Sequence, residues 1–416
     1  MSQPASPSQG NPQTLPLWHG RTLAFIGILL VAFNLRTLPG SLSPIFTVID
    51  DDFALPTMAI ALLGATAPIC FAIASLVTPK LGRRIGLEYG LLLALLLILI
   101  GQIIRIASGH WGFLVAGTAI ALFGTGMGNV LLPPTIKKYF PDRIGLLTML
   151  YVAVMAIASS TPPLVGYPLS EAVGWRMGLG TWAVATVIAF LPWLFELRTV
   201  KRRDIEIEHE TLSAGAKLAL WKSPTAVAIA ITLAVSSING YVTNAWFPIV
   251  ATEYAHATPT EAGIYLGIFS LMGLPMALII PIMAARFRKR TSLIVLASFA
   301  FLIVGYGGFL IWPTQATGLW IAIIGLGPLI FPLTLALMNL RTKSTSASLQ
   351  LSGFSQLWAY AAAAVSPILV GFLHEWTGGW TAYILFMLAV SLPLLYTAVI
   401  LARGNFVEDE VPSAGA

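Results

Sequence analysis

Long apolar runs, each closed by a short cluster of charges or turn residues, recur twelve times along the 416-residue chain. They are unbroken and about twenty residues or more in length, which suits an α-helix crossing a hydrocarbon core about 30 Å thick. A membrane β-barrel would instead read as short alternating segments. The pattern predicts spans at Thr22–Ile49, Thr57–Thr78, Leu87–Ile106, Trp111–Pro133, Ile144–Tyr167 and Met177–Leu197, then at Pro224–Val250, Glu261–Ala284, Ser292–Trp312, Gly318–Leu340, Ala347–Leu373 and Thr381–Ala402. The fold class is therefore an all-α membrane protein with twelve transmembrane helices.

Composition supports this reading. Hydrophobic residues make up 57% of the chain and charged residues only 10%, against roughly 25% charged in a soluble domain. An ordinary globular enzyme is excluded. The net charge of +6 does not point to nucleic acid, because the basic residues lie in small groups between apolar runs and so report topology. The expected partners are a small-molecule solute and the lipid bilayer, and the protein is expected to be a monomer. The single cysteine, Cys70, precludes an intrachain disulfide and a thiolate metal cluster. Residues 1–20 read as a disordered tail with no signal peptide.

Lysine and arginine orient the spans. With both termini cytoplasmic, 20 of the 23 basic residues fall on the inside, two (Arg105 and Arg176) outside and one, Arg36, within a span. The positive-inside rule favours that arrangement, in the inner (plasma) membrane. The longest inside loop divides the chain into an N-terminal six-helix half (21–197), a linker (198–222), a C-terminal half (223–403) and a cytoplasmic tail (404–416). The halves repeat. PPLVGYPLSEAVGW from Pro162 and PILVGFLHEWTGGW from Pro367 align without gaps at an offset of 205, which also lays Asn34-Leu35-Arg36 over Asn239-Gly240-Tyr241.

Arg36 carries the most information. In the predicted first span it lies about 21 Å from either end, too deep to snorkel, where an unpaired arginine costs at least ~2.5–3.5 kcal/mol. It is either a cavity-facing cation that attracts an anionic or dipolar solute, or a buried arginine bonded to carbonyls freed by Pro39 and Gly40. Asn34 points to another face, as an interhelical clamp or a solute contact. Asn239, Tyr241 and Asn244 form a polar patch on span seven. Trp246 follows as an interfacial anchor or a wall of the site. In span four, Gly124 and Gly128 read as packing residues, whereas the Asn129 amide needs either a neighbour or a solute. Gln356 and Tyr360 share one face of span eleven.

Several absences shape the functional reading. The histidines lie in the tail or loops, and Glu88, Glu196, Glu253 and Glu261 all sit near span ends, so no buried proton relay is visible. No phosphate-binding loop and no convergent acid, base or metal set occurs, so ATP-driven pumping, enzymatic activity and a cofactor are not expected. Any coupling proton would then travel on the solute, unless transport is exchange or facilitated diffusion.

At these residues the chain resembles the cyanate and 2-nitroimidazole permease family of the major facilitator superfamily. The likeness extends over essentially all twelve spans. It rests on Leu35-Arg36 in span one, GNVLLPPTIKKYFPDR (Gly128–Arg143), WKSP (Trp221–Pro224) and LSGFSQLWAY (Leu351–Tyr360). The resemblance implies two pseudo-symmetric six-helix halves in the major facilitator fold. It also implies alternating access and transport of small, compact, anionic or dipolar solutes. An exporter of drugs or metabolites on the same fold is the alternative, and a non-transporting membrane sensor ranks last. The superfamily's loop signature departs here, since PKLGRRIG (Pro79–Gly86) places Arg83 where an aspartate is usual. The gate is expected to use Lys80, Arg83, Arg84, Lys137 and Arg143, the first three pairing with helix C-termini or with Glu88 or Asp142.

Overall fold

The computed structural model describes residues 21–39, 41–42, 45–199 and 218–411. The tail assigned to 1–20, most of the linker and residues 412–416 lie outside the described residues.

The N-terminal half comprises α1 (Thr22–Thr37), a short α2 (Phe46–Asp50), α3 (Thr57–Ile85), α4 (Leu87–Ile106), α5 (Trp111–Tyr139), α6 (Ile144–Val173) and α7 (Trp175–Thr199). The C-terminal half comprises α8 (Pro224–Glu253), α9 (Pro259–Arg286), α10 (Thr291–Ile311), α11 (Thr317–Leu326), α12 (Ile330–Leu340), α13 (Thr345–Thr377), α14 (Thr381–Ser391) and α15 (Pro393–Ala402). Pairing α1 with α2, α11 with α12 and α14 with α15 recovers twelve crossings. Among the described residues, ten stretches are long and apolar enough to span a bilayer, and α1 is a shorter apolar helix.

Helix starts follow local chemistry. Pro224 and Pro259 occupy first-turn positions, where the missing N–H is no loss. Ser223 caps α8, and Thr258 forms a reciprocal capping box with Glu261. Interruptions follow proline: α1 stops just before Pro39, Pro328 lies in the 3₁₀ turn between α11 and α12, and Pro393 opens α15.

Two expectations are corrected. The predicted first span is not one helix, because the chain leaves α1 at Thr37 and resumes helix only at Phe46. The basic loop expected between spans two and three is also helical: Lys80, Arg83 and Arg84 ride on the last turns of α3. Gly86, at φ 84°, makes the entire joint to α4, a left-handed conformation that glycine adopts without penalty. Charged ends of long helices protrude beyond the apolar layer, so charge clusters mark the membrane boundary and not the end of the helix.

Within the N-terminal half α4 packs on α5 and α7, and α1 packs on α6 and α7. A Cβ on Gly124 would stand 2.6 Å from the Ala94 carbonyl oxygen, so the α4–α5 seam requires glycine there. In the C-terminal half α13 packs on α8, and α9 on α11. The halves meet through α3 with α13 and α6 with α9. At this seam Gly353 abuts Ser75 and Pro79. The C-terminal stretch up to Val411 docks on the basic end of the C-terminal half. There the Glu408 carboxylate accepts from the Lys343 and Ser344 amides at 2.7 and 3.0 Å. Glu410 accepts from the Ser223 hydroxyl and the Thr225 amide at 2.6 and 2.9 Å.

Candidate functional site

Residues from both halves converge where the halves join. Arg36 lies in the last turn of α1 and is half-buried. Its guanidinium stands over the Phe331 ring of α12 at 5.4 Å, a favourable cation–π geometry. Tyr151 of α6, Tyr241 of α8 and Tyr360 of α13 are all within electrostatic reach of Arg36. Tyr360 meets Phe71 of α3 edge to face at 5.0 Å. Gln356, one turn before Tyr360, donates from Nε2 to the Asn129 carbonyl oxygen at 3.0 Å and to Ser352 Oγ at 2.9 Å. Ser352 in turn donates to the Val130 carbonyl at 2.9 Å.

This accounting leaves polar atoms unsatisfied. Gln356 Oε1, Asn129 Nδ2 and the Tyr151 hydroxyl are buried without a hydrogen-bond partner, and among the described residues no carboxylate pairs with Arg36. A buried polar group without a partner is costly. A cation, two amide atoms and a phenol gathered this way suit a solute with a negative end and hydrogen-bonding capacity of its own.

The repeat organises the cluster. Tyr241 overlies Arg36 at the 205-residue offset, and the structure brings the two within electrostatic reach. The same offset relates Tyr151 to Gln356. Sequence reasoning missed Tyr151, although its repeat partner was already chosen and could have pointed to it.

Three predicted contacts are corrected or qualified. Asn34 does not line the cluster. Two residues from Arg36 is about 200° around the helix, and there its Nδ2 donates to the Leu30 carbonyl at 2.9 Å while Thr186 donates to its Oδ1 at 2.6 Å. Gln102 completes the clamp by donating to Thr186 Oγ1 at 2.8 Å, tying α1, α4 and α7 together. Asn239 donates from Nδ2 to the Tyr306 hydroxyl of α10 at 3.0 Å, and its Oδ1 is buried without a hydrogen-bond partner. Asn244 is exposed and donates back to the Gly240 carbonyl, one turn beyond Tyr241 on the same side of α8. Trp246 donates to the Pro367 carbonyl at 2.8 Å and so ties α8 to α13. Glu253 accepts from Trp380 Nε1 at 2.7 Å.

At the basic end, Lys137 ties the two halves together. Its ammonium donates to the Asn339 carbonyl at 2.9 Å, to Thr342 Oγ1 at 2.8 Å and to the Thr342 carbonyl. The carbonyls at a helix C-terminus have no intrahelical partner and carry the negative end of the macrodipole, so the end of α12 receives a cation from the opposite half. Glu88 and Asp142 have partners near the same end. Glu88 is taken by Lys138 and Tyr139, each at 2.6 Å. Asp142 is taken by Arg21 at 2.7 Å and Arg143 at 3.6 Å. The Arg21 hydrogen bond holds the Asp142 carboxyl below its ordinary value. Lys80 and Arg84 are exposed on α3.

Two six-helix halves with polar groups gathered at their joint suit a membrane transporter. The Major Facilitator Superfamily model matches residues 24–349, and the chain belongs to that superfamily. It is 32% identical over 370 residues to the uncharacterized transporter YycB of Bacillus subtilis (strain 168), covering 88% of this chain and 90% of that one. It is 28% identical over 376 residues to the 2-nitroimidazole transporter of Escherichia coli (strain K12), with 89% and 93% covered. It is 26% identical over 361 residues to the cyanate transport protein CynX of the same organism, with 85% and 90% covered. Among solved structures, a bacterial homologue of the iron transporter ferroportin in an outward-facing state aligns with TM-score 0.71 at 15% identity, over 93% of this chain and 99% of that one. The protein is a multi-pass membrane transporter and not an enzyme.

Proposed function

We propose that the protein carries small, compact anionic or strongly dipolar solutes, cyanate- or nitroimidazole-like, across the plasma membrane by alternating access. The halves 21–197 and 223–403, joined by the linker 198–222, rock about the Arg36 cluster. With both termini in the cytoplasm, the end tied by Lys137 is the cytoplasmic one. The observation that carries this reading is the Arg36 guanidinium, unpaired by any described carboxylate, with three tyrosines within electrostatic reach, at a joint that also holds the unpartnered Gln356 Oε1 and Asn129 Nδ2. The relatives that transport 2-nitroimidazole and cyanate support the same class of solute. Because Glu253 and Glu261 are engaged by Trp380 and Thr258, neither is offered as a proton carrier in the solute path.

The test is uptake of a labelled panel of small anions and azoles into proteoliposomes, with and without a pH gradient. Arg36→Lys keeps the charge but loses the planar fork that binds two oxygens at once, and transport should fall sharply while protein still reaches the membrane. Near-normal transport by Arg36→Ala would overturn the assignment.

A further inference from the structure

The turn at 341–344, between α12 and α13, is held from two directions. From the N-terminal half comes Lys137, whose ammonium donates to the Asn339 carbonyl and to the carbonyl and hydroxyl of Thr342. From the other side comes a strap, residues 405–411, that follows α15. Glu408 Oε1 accepts from the Lys343 amide at 2.7 Å and from the Ser344 amide at 3.0 Å. Val407 is fully buried, and its amide donates to the Arg341 carbonyl at 2.9 Å. Glu410 fastens the end of the strap to the start of α8 through the Ser223 hydroxyl and the Thr225 amide. Asp409 pairs with Lys343 Nζ, and both of those side chains are exposed.

The two holds share one peptide unit. The Thr342 carbonyl that receives the Lys137 ammonium and the Lys343 N–H that Glu408 receives belong to the same planar amide. A cation therefore sits on its oxygen and an anion on its hydrogen. Each charge polarises the amide in the sense that strengthens the other's hydrogen bond. Glu408 is also within electrostatic reach of Lys137. The second oxygen of Glu408, Oε2, is buried without a hydrogen-bond partner, so the ammonium supplies compensation that no donor in the turn or the strap provides. Arg288 acts on the same ammonium with the repulsive sign. Arg341 Nη2 is occupied by the Arg288 and Leu401 carbonyls.

We infer that Glu408 is a positioning residue of the transport cycle: acting through the Thr342–Lys343 peptide, its carboxylate holds Lys137 on the end of α12 and favours the arrangement in which the halves are tied at the basic end. The inference rests on the rocking of the halves proposed above. When the halves part there, Lys137 leaves, the peptide oxygen loses its cation and Glu408 loses its counter-charge. Strap and latch therefore stabilise each other, and such a coupling is reciprocal. A strap that only capped α13 would support that helix equally in both arrangements and would bias neither.

Spin labels at Lys80→Cys and Arg286→Cys, exposed positions on opposite halves, read the separation at the basic end of the full-length protein in a Cys70→Ala background. Glu408→Gln keeps an oxygen that accepts from the two amides and removes the charge. It should shift the open-to-closed ratio toward open by about fivefold or more. Asp409→Asn removes the same charge one residue along, from an exposed pair, and should leave the ratio within about twofold. In a Lys137→Met background the Glu408→Gln shift should shrink to that of the control, because its partner is gone. Hydrogen exchange reads the reciprocal effect without reference to opening. Lys137→Met should speed exchange in peptides covering 341–346 and 404–411 and leave 256–262, at the opposite end of the C-terminal half, unchanged. A Glu408→Gln shift no larger than that of Asp409→Asn, or one undiminished by Lys137→Met, would overturn the inference. If the separation does not respond even to Lys137→Met, it is the rocking of the halves that fails. Exchange then decides the coupling of Glu408 to Lys137 by itself: faster exchange retains it and unchanged exchange overturns it.

Discussion

Lys137→Met keeps the apolar stem of the latch residue and removes its ammonium, and the effect can be sized from the contacts. Three bonds are lost, to the Asn339 carbonyl and to both oxygens of Thr342. Hydrogen bonds involving a charged group contribute about 1.5–3 kcal/mol each. The lysine is only half-buried and regains water when the halves part, so we take about 2 kcal/mol for the set. That corresponds to about a thirtyfold shift from closed toward open at the basic end. Ser352, fully buried in the seam between the halves, is a convenient reporter. In a Cys70→Ala background, Ser352→Cys should react with an impermeant maleimide applied from the basic side about thirtyfold faster once Lys137 is methionine. Thr342→Val removes one acceptor and leaves the carbonyls, so its acceleration should be only severalfold. Reaction rates that stay within about twofold of each other with and without the ammonium would refute the latch, since even one charged hydrogen bond exceeds that difference.

The Asn34 clamp predicts a different phenotype. Thr186→Val strips Asn34 Oδ1 and Gln102 Nε2 of a shared partner, which should destabilise the N-terminal half by about 1–3 kcal/mol. Thermal unfolding in detergent should show the loss, with solute selectivity unchanged; a selectivity change at unaltered stability would place Asn34 back in the solute path. The second prediction concerns acid. Because Arg21 lowers the Asp142 carboxyl in the folded state, that pairing contributes fully above the unfolded carboxylate value and is lost as pH falls through the lower folded one. Asp142→Asn should therefore remove part of the decline in thermal stability on strong acidification, and a steeper decline would contradict the sign. Both partners are partly exposed, so the effect should shrink with added salt.

Sequence reasoning could find polar residues where lipid-facing segments should have none, and it found Arg36, Asn34, Asn129, Asn239 and Gln356 by one criterion. The structure divides them. Arg36 and Gln356 come to the joint, and Asn129 contributes both a carbonyl that Gln356 bonds and an unpartnered amide. Asn34 turns into its own half and is used by neighbouring helices, and Asn239 bonds Tyr306 of its own half while its Oδ1 stays unpartnered. Each is a polar residue in an apolar run that is costly to bury unpaired, and the direction it faces distinguishes a clamp from a binding group. The basic residues divide in the same way. Lys80, Arg84 and Lys137 all stand at the basic end, but Lys137 alone of the three is brought against the free carbonyls of α12.

What the sequence by itself determined is whatever depends on local composition and period. Runs of apolar residues long enough to cross a bilayer must be helical, because lipid offers their backbone no hydrogen bonds. The 205-residue repeat announced two like halves, whereas the breaks at the ends of α1 and α11 and within the last crossing appeared only in the structure. What only the tertiary structure decided is which polar atoms meet. The break after Thr37 leaves Arg36 at a helix end beside Phe331, and the closed seam sets Gln356 on Asn129 and Lys137 on the end of α12. It also gathers Glu88, Tyr139 and Glu196 from three helices into one hydrogen-bonded group. These contacts join residues more than fifty positions apart, and a few tenths of an ångström in helix packing decides whether they form.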